Sequence, residues 1–205
     1  MNDEIQHIIS GKSKIRFGTT IQATADHLAR SQTTGSMVEE HEQSKPEETN
    51  RLIGYIDDNH LWVESINVEN YVSEGAEQKV YIKSDKSVLK LNDGIYYLSW
   101  IDYLHNLLLH NYFFPDTAYE LLGFYFSEET LYAVVEQAFV KANENTELDL
   151  VKQFMANNGF QNTKNNDYFN PTLGIILEDL HDENVLTQDG TLYFIDTVFY
   201  IKVQN

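Results

Sequence analysis

Residues 177–186 read LEDLHDENVL, and residues 194–197 read FIDT. The acid Asp179 is followed five positions later by an amide, Asn184, and twelve positions further on by a second acid, Asp196. A Gln-Asp-Gly turn between two short apolar runs predicts a two-stranded hairpin between Asn184 and Asp196. Such a hairpin would bring these two side chains together at the same end of adjacent strands.

This combination of two acids and an amide matches what phosphoryl transfer requires. One carboxylate orients the acceptor hydroxyl and takes its proton, while a carboxylate and an amide oxygen hold Mg²⁺ against the phosphates. The competing interpretation is a solvated acidic loop followed by a chance hairpin. Both interpretations fit the spacing alone.

The run DLHDENVL, at residues 179–186, resembles the catalytic loop of protein kinases, which reads DLKPENVL. The acid at position 196 similarly resembles the metal-binding aspartate of those enzymes. The resemblance implies a catalytic base at Asp179, a metal ligand at Asn184 and the principal Mg²⁺ ligand at Asp196. It also implies ATP and Mg²⁺ as cofactors.

Two upstream segments lie where a kinase nucleotide site would need them. Residues 87–90, SVLK, are similar to the third-strand VAIK motif, which implies that Lys90 contacts the α- and β-phosphates of ATP. Residues 73–80, SEGAEQKV, occupy the place of the glycine-rich loop, but only Gly75 and Val80 match its pattern. A plain turn explains a lone glycine nearly as well.

The kinase pattern also includes an acid that orients the lysine and a hinge that binds adenine. Asp102 is the only acid within the apolar stretch of residues 95–109, and a buried carboxylate needs a partner, so it is predicted to pair with Lys90. The alternative is an acid at the helix edge that faces water. Glu136 and Ala138 are assigned to the hinge, where backbone groups would bind adenine.

A closer resemblance extends over residues 15–203. It is to the serine/threonine kinase-like family found in polyvalent proteins of bacterial mobile elements, and it implies a kinase-type fold more firmly than an activity. The segments that carry it are KLND at residues 90–93, HNYFFP at 110–115, AYELLGF at 118–124, NGF at 158–160 and LEDLHDEN at 177–184.

Several positions depart from the protein-kinase pattern. The usual histidine and arginine before the catalytic aspartate are Leu177 and Glu178, and the lysine after it is His181. The usual Phe-Gly after the metal aspartate is Thr-Val, and nine residues follow Asp196. The sequence therefore predicts a truncated C-terminal lobe without an activation segment or the usual platform for a protein substrate.

The leading functional hypothesis is Mg²⁺–ATP binding with phosphate transfer to a hydroxyl of an unknown acceptor, either a protein or a small molecule. A second is a pseudokinase that acts as a binding or regulatory module, which the poor glycine loop favours. A third is nucleotidyl transfer, in which ATP binds in reverse and AMP is moved. A zinc hydrolase at His181 and its acidic neighbours has weaker support, because only one histidine is close in sequence.

Composition limits the partners. The chain has 205 residues with 14 Lys and Arg, 32 Asp and Glu, and a formal net charge of −18. Such an acidic chain argues against nucleic acid and anionic membranes as partners, although solubility alone would account for the charge. No cysteine, signal peptide or membrane-spanning run is evident in the sequence. We expect a cytoplasmic protein, and the sequence leaves its oligomeric state open.

The fold class predicted is α+β, with a kinase-like antiparallel small-lobe sheet, one buried helix, a minimal C-terminal lobe and an N-terminal helical extension. The extension covers residues 1–60, including a polar linker at 32–50, and the compact domain covers residues 61–205. Helices are predicted at residues 20–31, 47–57, 95–109 and 147–157. Strands are predicted at residues 61–72, 79–83, 87–91, 119–126, 131–139, 173–177, 185–186, 192–195 and 198–203.

Overall fold

The computed structural model describes residues 2–33, 45–75 and 78–202. Its helices are α1 (Asp3–Ile9), α2 (Gly18–Thr33), α3 (Lys45–Asp58), α4 (Trp100–Phe113) and α5 (Leu148–Asn157). Its strands are β1 (Tyr71–Glu74), β2 (Gln78–Ile82), β3 (Ser87–Asn92), β4 (Glu120–Ser127), β5 (Thr130–Ala138), β6 (Gln161–Lys164), β7 (Asp167–Asn170), β8 (Ile175–Glu178), β9 (Val185–Gln188), β10 (Thr191–Phe194) and β11 (Val198–Ile201).

The strands form three antiparallel sheets, so the α+β class is confirmed. The largest sheet has the order β1-β2-β3-β5-β4, in which β1, β2 and β3 form an antiparallel meander. The second sheet is the β9–β10 hairpin, and the third has the order β11-β8-β7-β6. In the turn between β4 and β5, Glu128 and Glu129 both have positive φ, as a two-residue hairpin turn of type I′ requires.

One large apolar cluster joins the N-terminal helices to strands of all three sheets, and a smaller one contains Tyr81, Leu91 and Val134 of the largest sheet. Helices α1, α2 and α3 all pack against α4, which is itself apolar around most of its circumference. Ile21, Ala25 and Leu28 are buried on one face of α2, and Leu52 and Ile56 are buried on α3. The N-terminal segment therefore shares the core of the residues that follow it.

Residues 61–72 do not form the predicted strand. Residues 61–63 instead run along the outer edge of β4, where Val63 N–H donates to the Phe124 carbonyl and Phe124 N–H donates to the Leu61 carbonyl, both at 2.8 Å. Asn67 then caps a short 3₁₀ turn, accepting a hydrogen bond from Glu69 N–H, and β1 begins only after that turn. The alternating pattern reflects half-burial along an edge rather than a regular strand.

Gly123 makes that close approach possible. Its φ of +149° lies in a region that favours glycine, and a Cβ at this position would collide with the Leu61 carbonyl oxygen. The position coincides with an irregularity in the β4–β5 register between Leu121 and Gly123. Residues 61–63 therefore pack against β4 at a position where that strand carries no side chain.

Helix α4 begins five residues later than predicted, at Trp100. Ser99 caps it, because its Oγ accepts a hydrogen bond from Asp102 N–H at 3.0 Å. Helix α1 and the β6–β7 hairpin were not predicted, since both are short and polar. Of the predicted linker, residues 34–44 lie outside the described part of the chain, and residues 45–50 belong to α3.

Among the described residues, no helix combines the length and the apolar character needed to span a bilayer.

Candidate functional site: a cleft beside the C-terminal hairpin

The β9–β10 hairpin brings Asn184 and Asp196 together, as the sequence predicts. Asn184 immediately precedes β9, and Asp196 follows β10 by two residues. The Asn184 carbonyl accepts hydrogen bonds from the backbone N–H groups of Ile195, at 2.9 Å, and Asp196, at 3.3 Å. The two side chains thus start from adjoining backbone segments at the open end of the hairpin.

Asp179 joins this pair through the side chain of Asn184. The Asn184 amide nitrogen donates to the Asp179 carboxylate at 3.0 Å and to the Asp179 carbonyl at 2.9 Å. Asp179 has a φ of +67°, a left-handed conformation that acids tolerate better than most residues. This conformation turns the chain sharply at the end of β8, and the carboxylate remains more than half exposed.

His181 lies beside the same carboxylate. Its Nδ1 faces the N–H of Glu183 at 3.2 Å, and its Nε2 lies 3.4 Å from a carboxylate oxygen of Asp179. The same Nε2 also lies 3.1 Å from the Asn184 side-chain amide nitrogen, so the ring contacts both Asp179 and Asn184. The loop therefore supports Asp179 from two side chains, Asn184 and His181.

Lys90 reaches this group from the large sheet. It lies on β3, opposite Val80 and Val135, with only 4% of its surface exposed. Its ammonium donates to the Ile195 carbonyl at 2.8 Å and lies 3.9 Å from the Asp196 carboxylate. Burial lowers the pKa of Lys90, and the charge of Asp196 acts in the opposite direction. The ammonium therefore depends on Asp196 as its counter-ion.

Asp196 has a second partner on β2. The Gln78 side-chain amide donates to the same carboxylate oxygen that faces Lys90. Asp196 thus connects β2, β3 and the hairpin, while about a third of its side chain stays exposed.

A buried polar network fixes the chain on both sides of Asp196. His110, on α4, contacts the Thr197 hydroxyl through Nδ1 at 2.7 Å and the Thr117 carbonyl through Nε2 at 2.9 Å. Burial lowers the pKa of His110 to about 3, so the ring is neutral; a carbonyl only accepts, which places the proton on Nε2. The Thr117 hydroxyl donates to the Phe194 carbonyl at 2.5 Å.

A cleft of about 400 Å³ lies between the large sheet and the hairpin. Its walls include apolar side chains from both sides, and Lys90, Asn184 and Asp196 lie along one of its surfaces. A volume in this range is typical of small-molecule sites, which combine apolar walls with a few polar groups. The apolar lining residues include Val80, Ile82, Val88, Ala138 and Leu186.

A family model described as a serine/threonine/tyrosine kinase found in polyvalent proteins matches residues 45–203. The chain belongs to this family. The match covers most of the chain and confirms the resemblance inferred from the sequence. No curated protein and no solved structure matches the chain.

The structure places most of the predicted nucleotide-binding residues of this kinase-family chain at the cleft. Gly75, Val80, Lys90 and Ala138 all line it, although Ala76 and Glu77 of the same loop lie outside the described residues. Their assignment to nucleotide binding remains a prediction.

Glu136 does not lie at the cleft. It sits inside the sheet, in register with Leu89 and Glu120, and its carboxylate binds Lys83 at 2.5 Å. Strand residues alternate between faces, so the neighbouring Gln137 lines the cleft instead and donates to the Thr117 carbonyl at 2.8 Å. The hinge assignment concerns backbone groups, so it remains a prediction.

The predicted pair between Lys90 and Asp102 was wrong. Asp102 lies in the first turn of α4, where its carboxylate accepts from the Ser99 hydroxyl at 2.8 Å. An acid in the first turn is favoured by the helix dipole, which explains its place without Lys90. Lys90 is paired with Asp196 instead.

The sequence analysis did not assign His110, Thr117, Tyr119 or Thr197 to the site of this kinase-family protein. One feature of the sequence could have indicated these residues. A histidine, His110, stands at the end of an apolar helix and is followed at short spacing by a polar segment that is buried. The structure shows that these residues hold the backbone of the Asp196 segment.

The possible metal ligands are an acid and an amide. Among the described residues, no group of three or more histidine, aspartate or glutamate side chains is arranged to hold a metal ion. Asp196 and Asn184 both offer oxygen donors at the cleft. Mg²⁺ accepts such a donor set, because it commonly binds one or two protein oxygens and completes its shell with phosphates and water.

Proposed function

We propose that this kinase-family chain binds Mg²⁺–ATP in the cleft and transfers a phosphate to a hydroxyl acceptor. One observation carries the proposal. The Lys90 ammonium lies 3.9 Å from the Asp196 carboxylate, and the Asp196 backbone N–H donates to the Asn184 carbonyl at 3.3 Å. These three residues line the cleft, and the Asn184 side chain donates to the Asp179 carboxylate beside them at 3.0 Å. These are the residue types that hold phosphates, hold the metal and take the acceptor proton in phosphoryl transfer.

In this proposal the cleft divides into an adenine end and a phosphate end. Val80 and Leu186 approach from opposite walls and would enclose the base, with Ala138 beside them. Lys90 would donate to the phosphates from its buried position, where its charge acts through a poorly solvated environment. The large sheet with α4 would then correspond to a kinase small lobe, and β6–β11 to a minimal second lobe.

Asp196 and Asn184 would hold Mg²⁺, which neutralises charge on the phosphates when it is bound. The Gln78 amide and the Lys90 ammonium both face one Asp196 carboxylate oxygen, so the other oxygen could bind the metal.

Asp179 would act on the acceptor. Its carboxylate is exposed beside Asn184 and held by Asn184 and His181, so one oxygen could accept the proton of an incoming hydroxyl. As the acceptor oxygen bonds to the γ-phosphorus, the bond from that phosphorus to the bridging oxygen breaks and ADP leaves. The proton ends on Asp179.

A binding module without turnover is the second candidate. Glu74 and Glu183 line the cleft and would repel phosphates, and Gln78 already occupies Asp196. These contacts favour a protein that binds a nucleotide weakly or binds another ligand in its place.

Calorimetric titration with ATP, with and without Mg²⁺, tests the proposal. We expect Mg²⁺ to tighten binding at least about tenfold in the natural protein, corresponding to about 1.4 kcal/mol. Lys90→Met should weaken ATP binding under both conditions, whereas Asp196→Asn should remove the Mg²⁺ effect. Binding unaffected by Mg²⁺, or by either substitution, would contradict the site. Incubation with radiolabelled ATP and water or candidate hydroxyl acceptors then separates the enzyme from the module.

A further inference from the structure

The ammonium of Lys90 has an unusual set of neighbours for a phosphate-binding lysine. Helix α4 contains one acid, Asp102, and that acid binds Ser99 instead. The contacts of Lys90 are the Ile195 carbonyl, the Asp196 carboxylate and the face of the Tyr119 ring, whose centroid lies 5.4 Å from the ammonium. A cation over an aromatic face at this distance is attracted by the ring quadrupole.

Tyr119 and Lys90 also share a hydrogen-bond acceptor. The Tyr119 hydroxyl donates to the Ile195 carbonyl at 2.8 Å, and the Lys90 ammonium donates to the same oxygen at the same distance. Burial, followed by the nearby charge of Asp196, raises the pKa of Tyr119 well above its ordinary value. The hydroxyl therefore keeps its proton and remains a donor.

Helix α4 holds Tyr119 in place through Asn111. The Asn111 side chain accepts from Tyr119 N–H at 2.7 Å and donates to the Tyr119 carbonyl at 2.8 Å. The His110 ring lies against the Tyr119 ring, with 4.4 Å between centroids. Tyr119 and Asn111 are both almost fully buried, so few other positions are open to the Tyr119 side chain.

We propose that Tyr119 is a positioning residue for Lys90, and that helix α4 is linked to the phosphate end of the cleft through Asn111 and Tyr119 rather than through an acid. The Tyr119 ring contacts the Lys90 ammonium on one side, and the shared Ile195 carbonyl fixes the distance of that ammonium from the sheet. This inference deepens the proposed function and rests on it for the role of Lys90, but the contact itself exists without a nucleotide.

A double-mutant cycle on the nucleotide-free protein tests the contact. Tyr119→Phe keeps the aromatic ring without the hydroxyl, whereas Tyr119→Met removes both, and each is made with Lys90 intact and with Lys90→Met. We expect loss of the ring to lower the urea midpoint more when Lys90 is present than when it is replaced. An equal shift in both backgrounds would overturn the proposal. Tyr119→Leu replaces the methionine variant if that variant does not fold.

Ligand affinity then distinguishes positioning from packing. Tyr119→Met should weaken ATP binding about tenfold and leave adenosine binding within about twofold, because only ATP reaches Lys90. Tyr119→Phe should recover most of the ATP affinity. Equal losses for ATP and adenosine would mean a structural role only and would overturn the proposal.

Tyr132→Met is the matched control, since the Tyr132 ring lies 5.3 Å from Lys79 on the same sheet, away from Asp196. It should leave the ratio of ATP to adenosine affinity unchanged. If the natural protein binds no ATP, the proposed function fails, while the urea cycle still decides whether Tyr119 supports Lys90.

Discussion

At the residue scale, His110 fixes the segment that carries Asp196 without reaching the cleft. Its ring is neutral when buried, because desolvation lowers its pKa from 6.5 to about 3. Between those two values the unfolded chain binds a proton that the folded protein excludes. The stability that depends on neutral His110 is therefore complete above about pH 6.5 and declines as the pH falls toward 3.

We expect His110→Gln to flatten this pH dependence. The natural protein should lose up to about 1.4 kcal/mol of unfolding free energy per pH unit through this residue, and the variant should lose correspondingly less. Urea unfolding at pH 7, 6 and 5 measures the difference. His60→Gln, at an exposed histidine, should leave the slope as it is. Parallel slopes for the natural protein and His110→Gln would contradict the assignment of the neutral ring.

The limits of sequence reasoning at this scale follow from side-chain direction. Asp179, Asn184 and Asp196 lie close together because a short hairpin leaves little freedom to the residues at its ends. The prediction for Asp102 was wrong because its partner depends on where helix α4 is capped, and the direction of the Glu136 side chain depends on the face that a strand residue takes. Neither follows from composition or from spacing to a distant lysine.

At the element scale, α3 supplies part of the N-terminal cap of α4. The buried Glu48 carboxylate accepts from the N–H groups of Trp100, at 2.6 Å, and Ile101, at 3.3 Å, while Ser99 satisfies the next. Burial raises the pKa of Glu48, although these hydrogen bonds act against the shift. Three of the four free N–H groups of α4 are thus satisfied from two different elements.

Removing this cap should destabilise helix α4. We expect Glu48→Ala to lower the unfolding free energy by about 1–3 kcal/mol, because it leaves buried donors unpaired. Glu47→Ala, at the exposed neighbour, should stay within about 0.5 kcal/mol. Urea denaturation followed by circular dichroism measures both, and similar losses for the two variants would argue against the cap.

Long apolar elements were predicted more accurately than short polar ones. The β4 and β5 strands and helix α5 lie within one or two residues of their predicted bounds, because each carries a clear period and a turn or stop signal. Residues 61–72 alternate without becoming a strand, since Asn67 favours a local 3₁₀ turn over pairing. Helix α1 has only two buried residues, Ile5 and Ile8, which is too few to give a sequence period.

At the scale of the whole molecule, the N-terminal helices and the sheets share one core. Ile21 and Leu28 of α2 are fully buried in the same cluster as Leu104 and Leu108 of α4. The predicted boundary at residue 60 stays a prediction, and unfolding experiments can test it. A shared core predicts a single cooperative transition.

We expect Leu28→Ala to lower the stability of the whole protein by about 2–5 kcal/mol, since it leaves a cavity in that core. The transitions seen by far-ultraviolet circular dichroism and by tryptophan fluorescence should move together, because Trp100 and Trp62 lie outside α2. Leu150→Ala, at a half-exposed leucine of α5, is the control. Early loss of helical signal alone would instead indicate an N-terminal unit that unfolds separately.

The absence of a side chain at Gly123 affects the self-association of this protein. Residues 61–63 cover the β4 edge only because nothing projects from position 123, and an uncovered edge strand can pair with another chain. Gly123→Ala should therefore produce concentration-dependent light scattering, whereas Gly54→Ala, which has open space around it on α3, should remain dispersed. Equal scattering from both would contradict this. A glycine far from the cleft therefore limits self-association, and its replacement should lower the solubility of the protein before it affects the cleft.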